Sequence, residues 1–341
     1  MERKKGILFI LGIALAIVLL VGLSLGAVAI TPIQCFAILT SKFGLSLPVK
    51  FKTQQAIVFS LIRLPRVLAG SLVGAGLAMA GAAMQGLFRN PLADPGLVGV
   101  SSGAAVGAAL FLVVLGPLLP MFTGLLPCTA FCGALVIAAL AYRLAQREGR
   151  TVVSTLLLAG IAINSLCGAA VGLLTFIATD AQLRNLAFWS LGSLGGITWK
   201  PLGWLAIFIL PSAAILLGQH RTLNVLLLGE AEAGHLGLSV ETTKRIILIC
   251  TALIVGVSVS FTGMIAFVGL IVPHLLRLLI GADHRFLLPG SAILGAFLLV
   301  AADTLARLVI VPAELPIGIV TALVGAPFFL WLLKKEGRRC L

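Results

Sequence analysis

The stretch GILFILGIALAIVLLVGLSLGAVAI, which runs from Gly6 to Ile30, decides the class of fold because it carries no charged residue. A membrane-spanning helix needs about 20 mostly apolar residues, since lipid offers its backbone no hydrogen-bond partner. The basic start Arg3-Lys4-Lys5 and the later Ala27-Val28-Ala29 also fit a secretory signal, but the apolar run is longer than such signals have. We therefore predict a retained first helix.

Apolar runs of similar length recur through the chain. Hydrophobic residues make up 60% of it and charged residues only 10%, whereas an ordinary soluble domain has roughly 25% charged residues. The runs predict an all-α polytopic membrane protein of about ten transmembrane helices, built as one transmembrane domain over residues 1–341. The predicted spans are 7–30, 66–88, 94–115, 118–142, 152–177, 201–218, 243–262, 264–281, 286–306 and 315–333.

The positive charges follow the predicted helices. A net charge of +13 does not indicate nucleic-acid binding here, because the cations lie in short connections rather than on one solvated face. With the N-terminus inside, sixteen of the 24 lysines and arginines fall on inner connections, among them Arg338 and Arg339. The positive-inside rule then predicts that both termini are cytoplasmic.

Several chemical functions lack their motifs. Gly99-Val100-Ser101-Ser102-Gly103 matches the G-x-S-x-G pattern of hydrolases, but no strand precedes it and no histidine reaches it on this topology, so no catalytic residue is predicted. Cys128 and Cys132 lie on an apolar helix without a histidine partner, so no metal site is predicted. No phosphate-binding loop occurs, and therefore another subunit must hydrolyse any ATP that drives the protein. A carrier that works alone is the alternative.

Two polar features allow two readings each from the residues alone. Arg63 and Arg66 flank the start of the second predicted helix, where an outer cationic rim could bind acidic groups or lipid headgroups. Arg307 can pair with Asp303 along one helix face. The inner connection 219–243 contains a short helix-like stretch that could dock a cytoplasmic partner or be an ordinary amphipathic loop helix.

Three groups of motifs resemble the permease subunits of ATP-binding-cassette (ABC) importers for iron-siderophores, haem and cobalamin, the FecCD-type, type II importers. The first group is RLPRVLAG at 63–70 with QGLFRNPLADPGLVGVS at 85–101. The second is GLIVPHLLR at 269–277 with DHR at 283–285, and the third is PAELPIG at 312–318 with GAP at 325–327. The resemblance covers essentially the whole chain.

The resemblance implies an assembly that composition cannot show. It implies a homodimer in a bacterial inner membrane, two cytoplasmic ATPase subunits that bind the ATP and magnesium, and an extracytoplasmic substrate-binding protein. This chain would hold no cofactor of its own. The cargo would be a metal chelate, haem or a ferric siderophore, with cobalamin as the alternative. Residues 180–196 look most like haem permeases, and siderophore permeases share much of this stretch.

Residues matching the family's motifs fall into three groups by implied role. Those implied to dock the binding protein through its acidic residues are Arg63, Arg66 and Arg307. Those implied to couple the chain to the ATPase are Gly229, Glu230, Ala233, Leu236 and Gly237. Those implied to form the cytoplasmic gate are Asn90, Leu92, Val153 and Ser154. Cobalamin permeases commonly have threonine where this chain has Val153, which counts against a cobalamin-type gate.

Overall fold

The computed structural model describes residues 1–42, 44, 47–310 and 313–337. Arg338 and Arg339 of the inner charge set, and Pro312 of the third motif, lie outside the described residues. In chain order the helices are α1 (Glu2–Ser24), α2 (Pro32–Ser41), α3 (Thr53–Ile57), α4 (Leu64–Leu87), α5 (Val100–Leu110), α6 (Gly116–Leu118), α7 (Leu126–Ala145), α8 (Val153–Ile177), α9 (Asp180–Leu191), α10 (Trp199–Gly218), α11 (His220–Leu226), α12 (Glu230–His235), α13 (Val240–Thr262), α14 (Val268–Ile280), α15 (His284–Val309) and α16 (Ile317–Gly337).

Shorter elements complete the architecture. Two π-helical turns, Val58–Arg63 and Phe111–Leu115, join α3 to α4 and α5 to α6. Two 3-10 turns, Pro95–Val98 and Pro120–Leu125, precede α5 and α7. Among the described residues the strands form a single antiparallel hairpin, β1 (Gln146–Arg147) and β2 (Arg150–Thr151), directly before α8.

Eight helical runs among the described residues are long and apolar enough to cross a membrane. They are Glu2–Ser24, Thr53–Leu87, Val100–Leu118, Leu126–Ala145, Val153–Ile177, Trp199–Gly218, Val240–Thr262 and His284–Val309. The apolar helices Val268–Ile280 and Ile317–Leu330 are shorter. Each of the ten predicted spans therefore contains a helix, and the prediction of an all-α polytopic membrane protein is confirmed.

Close backbone approach organises the centre of the bundle. Helix α4 packs against α10, α13, α14 and α15. A Cβ atom at Gly74 would overlap the carbonyl of Gly295 on α15, and one at Gly81 would overlap the carbonyl of Gly269 on α14. Small residues at such crossings let helix backbones touch in lipid, where packing rather than the hydrophobic effect holds helices together. The glycines of α4 thus let this helix pack closely against α14 and α15.

The boundaries of two predicted spans are wrong. The first helix ends at Ser24 rather than near residue 30. The second begins at Thr53, because the π-helical turn carries the helix past Pro65 into α4, so that Arg63 and Arg66 lie inside one continuous helical run of 35 residues. A π turn accommodates the local disruption that a proline near it creates.

Helices α2 and α9 were not predicted because they are too short or too polar for a spanning pattern. Helix α2 starts with a capping box in which Thr31 and Gln34 exchange side-chain to backbone hydrogen bonds. Helix α9 starts in the same way with Thr179 and Gln182. The pattern T-x-x-Q is a recognisable helix start, so the sequence did contain a signal for both.

Candidate functional site

The predicted coupling stretch folds as a discrete short helix, α12. Gly229 before it has φ +136° and Gly237 after it has φ +79°, conformations that favour glycine and so limit the helix to residues 230–235. Ala233 is fully buried, which attaches the helix to the body of the protein. Leu236 is 63% exposed, so the outer face of this segment presents a large apolar side chain outside the bundle.

Lys244 on α13 anchors α12 to the bundle. Its side chain is only 4% exposed, and its ammonium donates a 2.6 Å hydrogen bond to Oε2 of Glu230. The same ammonium donates a 2.8 Å hydrogen bond to the backbone carbonyl of Thr151 at the end of β2. One buried cation therefore links α12 to the hairpin that precedes α8.

A second residue of α13 holds the same point of the hairpin. The carboxylate of Glu241 accepts a 2.9 Å hydrogen bond from the backbone N–H of Thr151 through Oε2 and another from the Thr151 hydroxyl through Oε1. Thr151 is 2% exposed, and the next residue, Val152, donates its N–H to the carbonyl of Ala145 at 3.0 Å. The hairpin is thus fastened both to α13 and to the end of α7.

The four predicted gate residues occupy two separate segments. Val153 and Ser154 form the first turn of α8, with Ser154 exposed. Asn90 and Leu92 lie in the turn after α4, where the Asn90 side-chain oxygen accepts a 2.9 Å hydrogen bond from the Leu92 N–H. No hydrogen bond joins the two segments in the described part of the chain. Their role in gating stays a prediction.

The turn that follows the Asn90–Leu92 segment packs against α8, the helix that begins with Val153 and Ser154. The chain that leaves Leu92 turns back into the bundle through the 3-10 turn Pro95–Val98. There a Cβ atom at Gly160 of α8 would overlap the carbonyl of Leu97. Gly160 lies about two turns beyond Val153 on the same helix, so α8 carries one gate segment and packs against the turn that follows the other.

The arginines predicted to dock a binding protein are buried, contrary to the expected exposed rim. Arg63 is 4% exposed and donates hydrogen bonds to the backbone carbonyls of Leu23, Ser24 and Val28. These carbonyls lie at and after the end of α1, where helical hydrogen bonding stops and acceptors are left over. Arg63 therefore closes the end of α1 inside the protein.

Arg66 and Arg307 share the buried carboxylate of Asp303. Arg66 donates to Oδ1 of Asp303 at 2.8 Å and to Oε2 of Glu314 at 2.9 Å, and Arg307 lies 3.2 Å from Oδ2 of Asp303. The two arginine side chains are 7% and 8% exposed, and Asp303 is 3% exposed. The predicted Asp303–Arg307 pairing is confirmed, whereas Glu314, with 45% of its side chain exposed, is the accessible charge of this network.

Sequence reasoning missed another polar junction, between α11 and α15. The Asn224 side chain donates to Oδ1 of Asp283 at 2.8 Å and accepts from the backbone N–H of His284 at 2.8 Å. Partial burial alone would raise the pKa of Asp283, but the hydrogen bonds from Asn224 and from the Arg285 N–H, together with the nearby Lys4, lower it. The Asp283 carboxylate is therefore a stabilised anion at the start of α15.

Lys244, Thr151 and Glu241 were missed for a different reason. Glu241 and Lys244 lie three residues apart at the start of a helix, where a negative side chain stabilises the helix by its interaction with the helix dipole. In the sequence, these two charges therefore look like an ordinary helix start. Their common partner, Thr151, lies about 90 positions earlier in the chain. Only the fold brings these residues together.

Sequence comparison gives the following relatives. Residues 14–335 match the model of the FecCD transport family. The hemin transport system permease protein HmuU of Yersinia pestis is 51% identical over 278 residues, which cover 81% of this chain and 82% of that protein. The cobalamin import system permease protein BtuC of Halobacterium salinarum is 46% identical, covering 85% of this chain and 76% of that protein. The vitamin B12 import system permease protein BtuC of Salmonella typhi is 48% identical, covering 81% and 83%.

Two solved structures have a similar fold. One, described as an inward-facing conformation of a metal-chelate type ABC transporter, superposes with a TM-score of 0.84 at 33% identity. The alignment covers 97% of this chain and 99% of that one. The other, PsaBC from Streptococcus pneumoniae in complex with Fab, superposes with a TM-score of 0.51 at 20% identity, covering 78% and 88%, and shares the fold alone.

Proposed function

Because the chain belongs to the FecCD transport family, we propose that it is the membrane-spanning permease subunit of an ATP-driven ABC importer that takes up an iron chelate, haem or a ferric siderophore. The observation that carries haem as the first cargo is the 51% identity to a hemin transport permease over 81% of this chain. The fold, that of a type II importer permease, supports a metal chelate as the class of cargo.

Cobalamin is the second candidate cargo. Relatives named as cobalamin or vitamin B12 permeases are 46% to 48% identical over at least 81% of this chain. Overall identity therefore separates the two cargoes by only a few percentage points. Val153, at a position where cobalamin permeases commonly carry threonine, is the residue that favours haem or a siderophore.

The proposed assembly is a homodimer with two cytoplasmic ATPase subunits and an extracytoplasmic substrate-binding protein. The ATP and magnesium belong to the ATPase subunits, and this chain would carry out no covalent chemistry and hold no cofactor. It would lie in a bacterial inner membrane with both termini in the cytoplasm. The junction of Lys4 with Phe286, 5.4 Å from ring centroid to ammonium, supports an N-terminus at the same end as the start of α15.

The geometry of α12 supports the coupling role. The helix is small, its body is fixed through Ala233, and its apolar Leu236 is exposed. We propose that an ATPase subunit binds this face and that segment 219–243 is the coupling segment. At the opposite end of the bundle, the binding protein would dock on the surface supported by the buried Arg63, Arg66 and Arg307, where Glu314 is exposed.

Transport in a reconstituted system tests this function. The chain is placed in proteoliposomes with its ATPase and binding protein, and uptake of labelled haem, ferric siderophore and cobalamin is measured with and without trapped ATP. We expect ATP-dependent uptake of haem or a ferric siderophore. ATP-dependent uptake of cobalamin alone would establish the second candidate, and uptake without ATP would overturn the proposal in favour of a carrier that works alone.

A further inference from the structure

A cleft separates α12 from the β1–β2 hairpin. Its volume is about 650 Å³, and it is lined on one side by Glu230, Ala231 and Gly234 of α12 and on the other by Arg150 and Thr151. Because this space lies between the two walls, little direct apolar packing joins them along the cleft. What spans the cleft decides whether a displacement of α12 reaches the hairpin.

Lys244 spans it. Its ammonium is within 2.6 Å of the Glu230 carboxylate on one wall and within 2.8 Å of the Thr151 carbonyl on the other. A buried ammonium is costly unless it is paired and hydrogen-bonded, and a charge-assisted hydrogen bond is shorter and stronger than a neutral one. These two bonds therefore resist separation of α12 from the hairpin more than a solvated lysine would.

The hairpin in turn leads directly into a gate segment. Thr151 precedes Val153, the first residue of α8, by two positions, and its N–H and hydroxyl are bound by Glu241, which lies on the same turn of α13 as Lys244. Four hydrogen bonds thus tie α12, the start of α13 and Thr151 to one another. The chain between Thr151 and Val153 is too short to absorb a shift of more than a few ångströms.

We propose that Lys244 is a positioning residue that makes α12, the first turns of α13 and the β1–β2 hairpin one rigid unit, so that a displacement imposed on α12 is passed to Val153 and Ser154. The proposal rests on the proposed function, in which an ATPase supplies that displacement and the start of α8 is a gate. It assigns to Lys244 no contact with cargo or with ATP. Its effect is to convert ATP hydrolysis into movement of the gate.

The test compares variants in the complete transporter, reconstituted with its ATPase and binding protein. Lys244→Met removes the ammonium but keeps most of the length of the side chain, and Lys244→Arg restores a cation. Arg245→Met is the matched control, because Arg245 is the adjacent cation of α13 but is exposed and bonds to Tyr142 rather than to α12. ATP hydrolysis and cargo uptake are measured on the same vesicles.

We expect Lys244→Met to assemble and hydrolyse ATP while the amount of cargo taken up per ATP falls about tenfold, a typical size for coupling between sites. Lys244→Arg should recover much of the loss, and Arg245→Met should keep the wild-type ratio. A purely structural role would instead lower assembly and hydrolysis together and leave the ratio unchanged. An unchanged ratio in Lys244→Met would overturn the proposal.

A second variant covers the case in which Lys244→Met does not fold. Glu230→Gln keeps an oxygen acceptor on a residue whose side chain is 44% exposed, so it should fold, and we expect a smaller fall in the same ratio. A wild-type ratio in that variant would also contradict the proposal. The proposed function fails separately, since its failure would appear as ATP-independent uptake in the wild-type vesicles.

Discussion

Each end of the bundle holds a buried cation that binds two acceptors: Lys244 at the α12 end and Arg66 at the opposite end. One acceptor is a partly exposed carboxylate in both cases, and the second acceptor differs. At the α12 end, the Lys244 side chain is 4% exposed and its carboxylate partner Glu230 is 44% exposed. At the opposite end, Arg66 is 7% exposed and its outer partner Glu314 is 45% exposed. The second partner is a backbone carbonyl of a hairpin for Lys244, but a fully buried carboxylate, Asp303, for Arg66.

This difference indicates two uses of a similar charge arrangement. Arg66 and Asp303 lie on α4 and α15, long helices whose backbones touch where Gly74 meets Gly295. Their ion pair therefore fixes two parts that are already packed together. Lys244 joins a six-residue helix to a two-stranded hairpin across a cleft. We infer that the first network locks the bundle and the second links small elements that move as a unit.

Removal of the carboxylate at the centre of the first network should have the largest effect on stability. Asp303→Asn leaves Arg66 and Arg307 buried beside a neutral amide. Breaking a buried pair by removal of one partner costs about 3–5 kcal/mol, and here two cations depend on the same group. We expect a large fall in the melting temperature of the detergent-solubilised protein, and a lower yield of folded protein.

Asp180→Asn is the control for that change. Asp180 is an exposed carboxylate in the first turn of α9, where its interaction with the helix dipole is worth about 0.3–1 kcal/mol. Equal losses of melting temperature for the two variants would show that Asp303 contributes no more than a surface charge. The distinction drawn between the Asp303 network and the Lys244 network would then be wrong.

An intermediate effect is expected at the second network, confined to the hairpin. Glu241→Ala removes the acceptor of two hydrogen bonds from Thr151, each to a charged group and worth about 1.5–3 kcal/mol. Amide hydrogen exchange should accelerate at residues 146–152 and stay unchanged in the centre of α4. Faster exchange throughout the bundle would instead show that the hairpin contributes to global stability, as the Asp303 network does.

A smaller effect, dependent on pH, is expected for Asn224→Ala. The loss of the Asn224 amide removes a hydrogen bond that lowers the pKa of Asp283, at a cost of about 1–2 kcal/mol at neutral pH. A carboxyl group with a lowered pKa in the folded state adds stability above its unfolded pKa of about 3.9 and loses it as pH falls. The difference in melting temperature between variant and wild type should therefore shrink below about pH 4. A constant difference would show that the bonds of Asn224 to His284 matter instead.

The sequence predicted the spanning helices because apolar runs of sufficient length have few other folds available. It did not predict how polar groups pair across the bundle. Asp303 and Arg307 were predicted to pair because they are four residues apart on one helix, a local rule. Arg66 meets Asp303 across 237 positions of the chain, and no local pattern reports such a contact.

The same limit explains why the burial of Arg63 and Arg66 was not predicted. The predicted span 66–88 puts Arg63 and Arg66 at the entry of the second helix, on an outer cationic rim. Helix α3 and the π-helical turn Val58–Arg63 together extend the helix by 11 residues before Leu64, and both side chains are buried in the protein. A proline near a helix start is a weak boundary signal when a π turn can absorb it. The docking role itself stays a prediction.

The smallest effect on stability, and the most informative one for docking, is expected from Glu314→Gln. Its half-exposed ion pair with Arg66 should contribute no more than about 1 kcal/mol, because solvent screens it and Asp303 keeps Arg66 paired. If an acidic residue of the binding protein also binds the Arg66 guanidinium, Glu314 competes with that residue. The variant should then bind the binding protein about two- to fivefold more tightly, measured by titration onto the reconstituted transporter at low and high salt. Weaker binding would show that Glu314 itself contacts the binding protein. A loss of stability as large as that of Asp303→Asn would show that Glu314 is as important to the ion-pair network as Asp303.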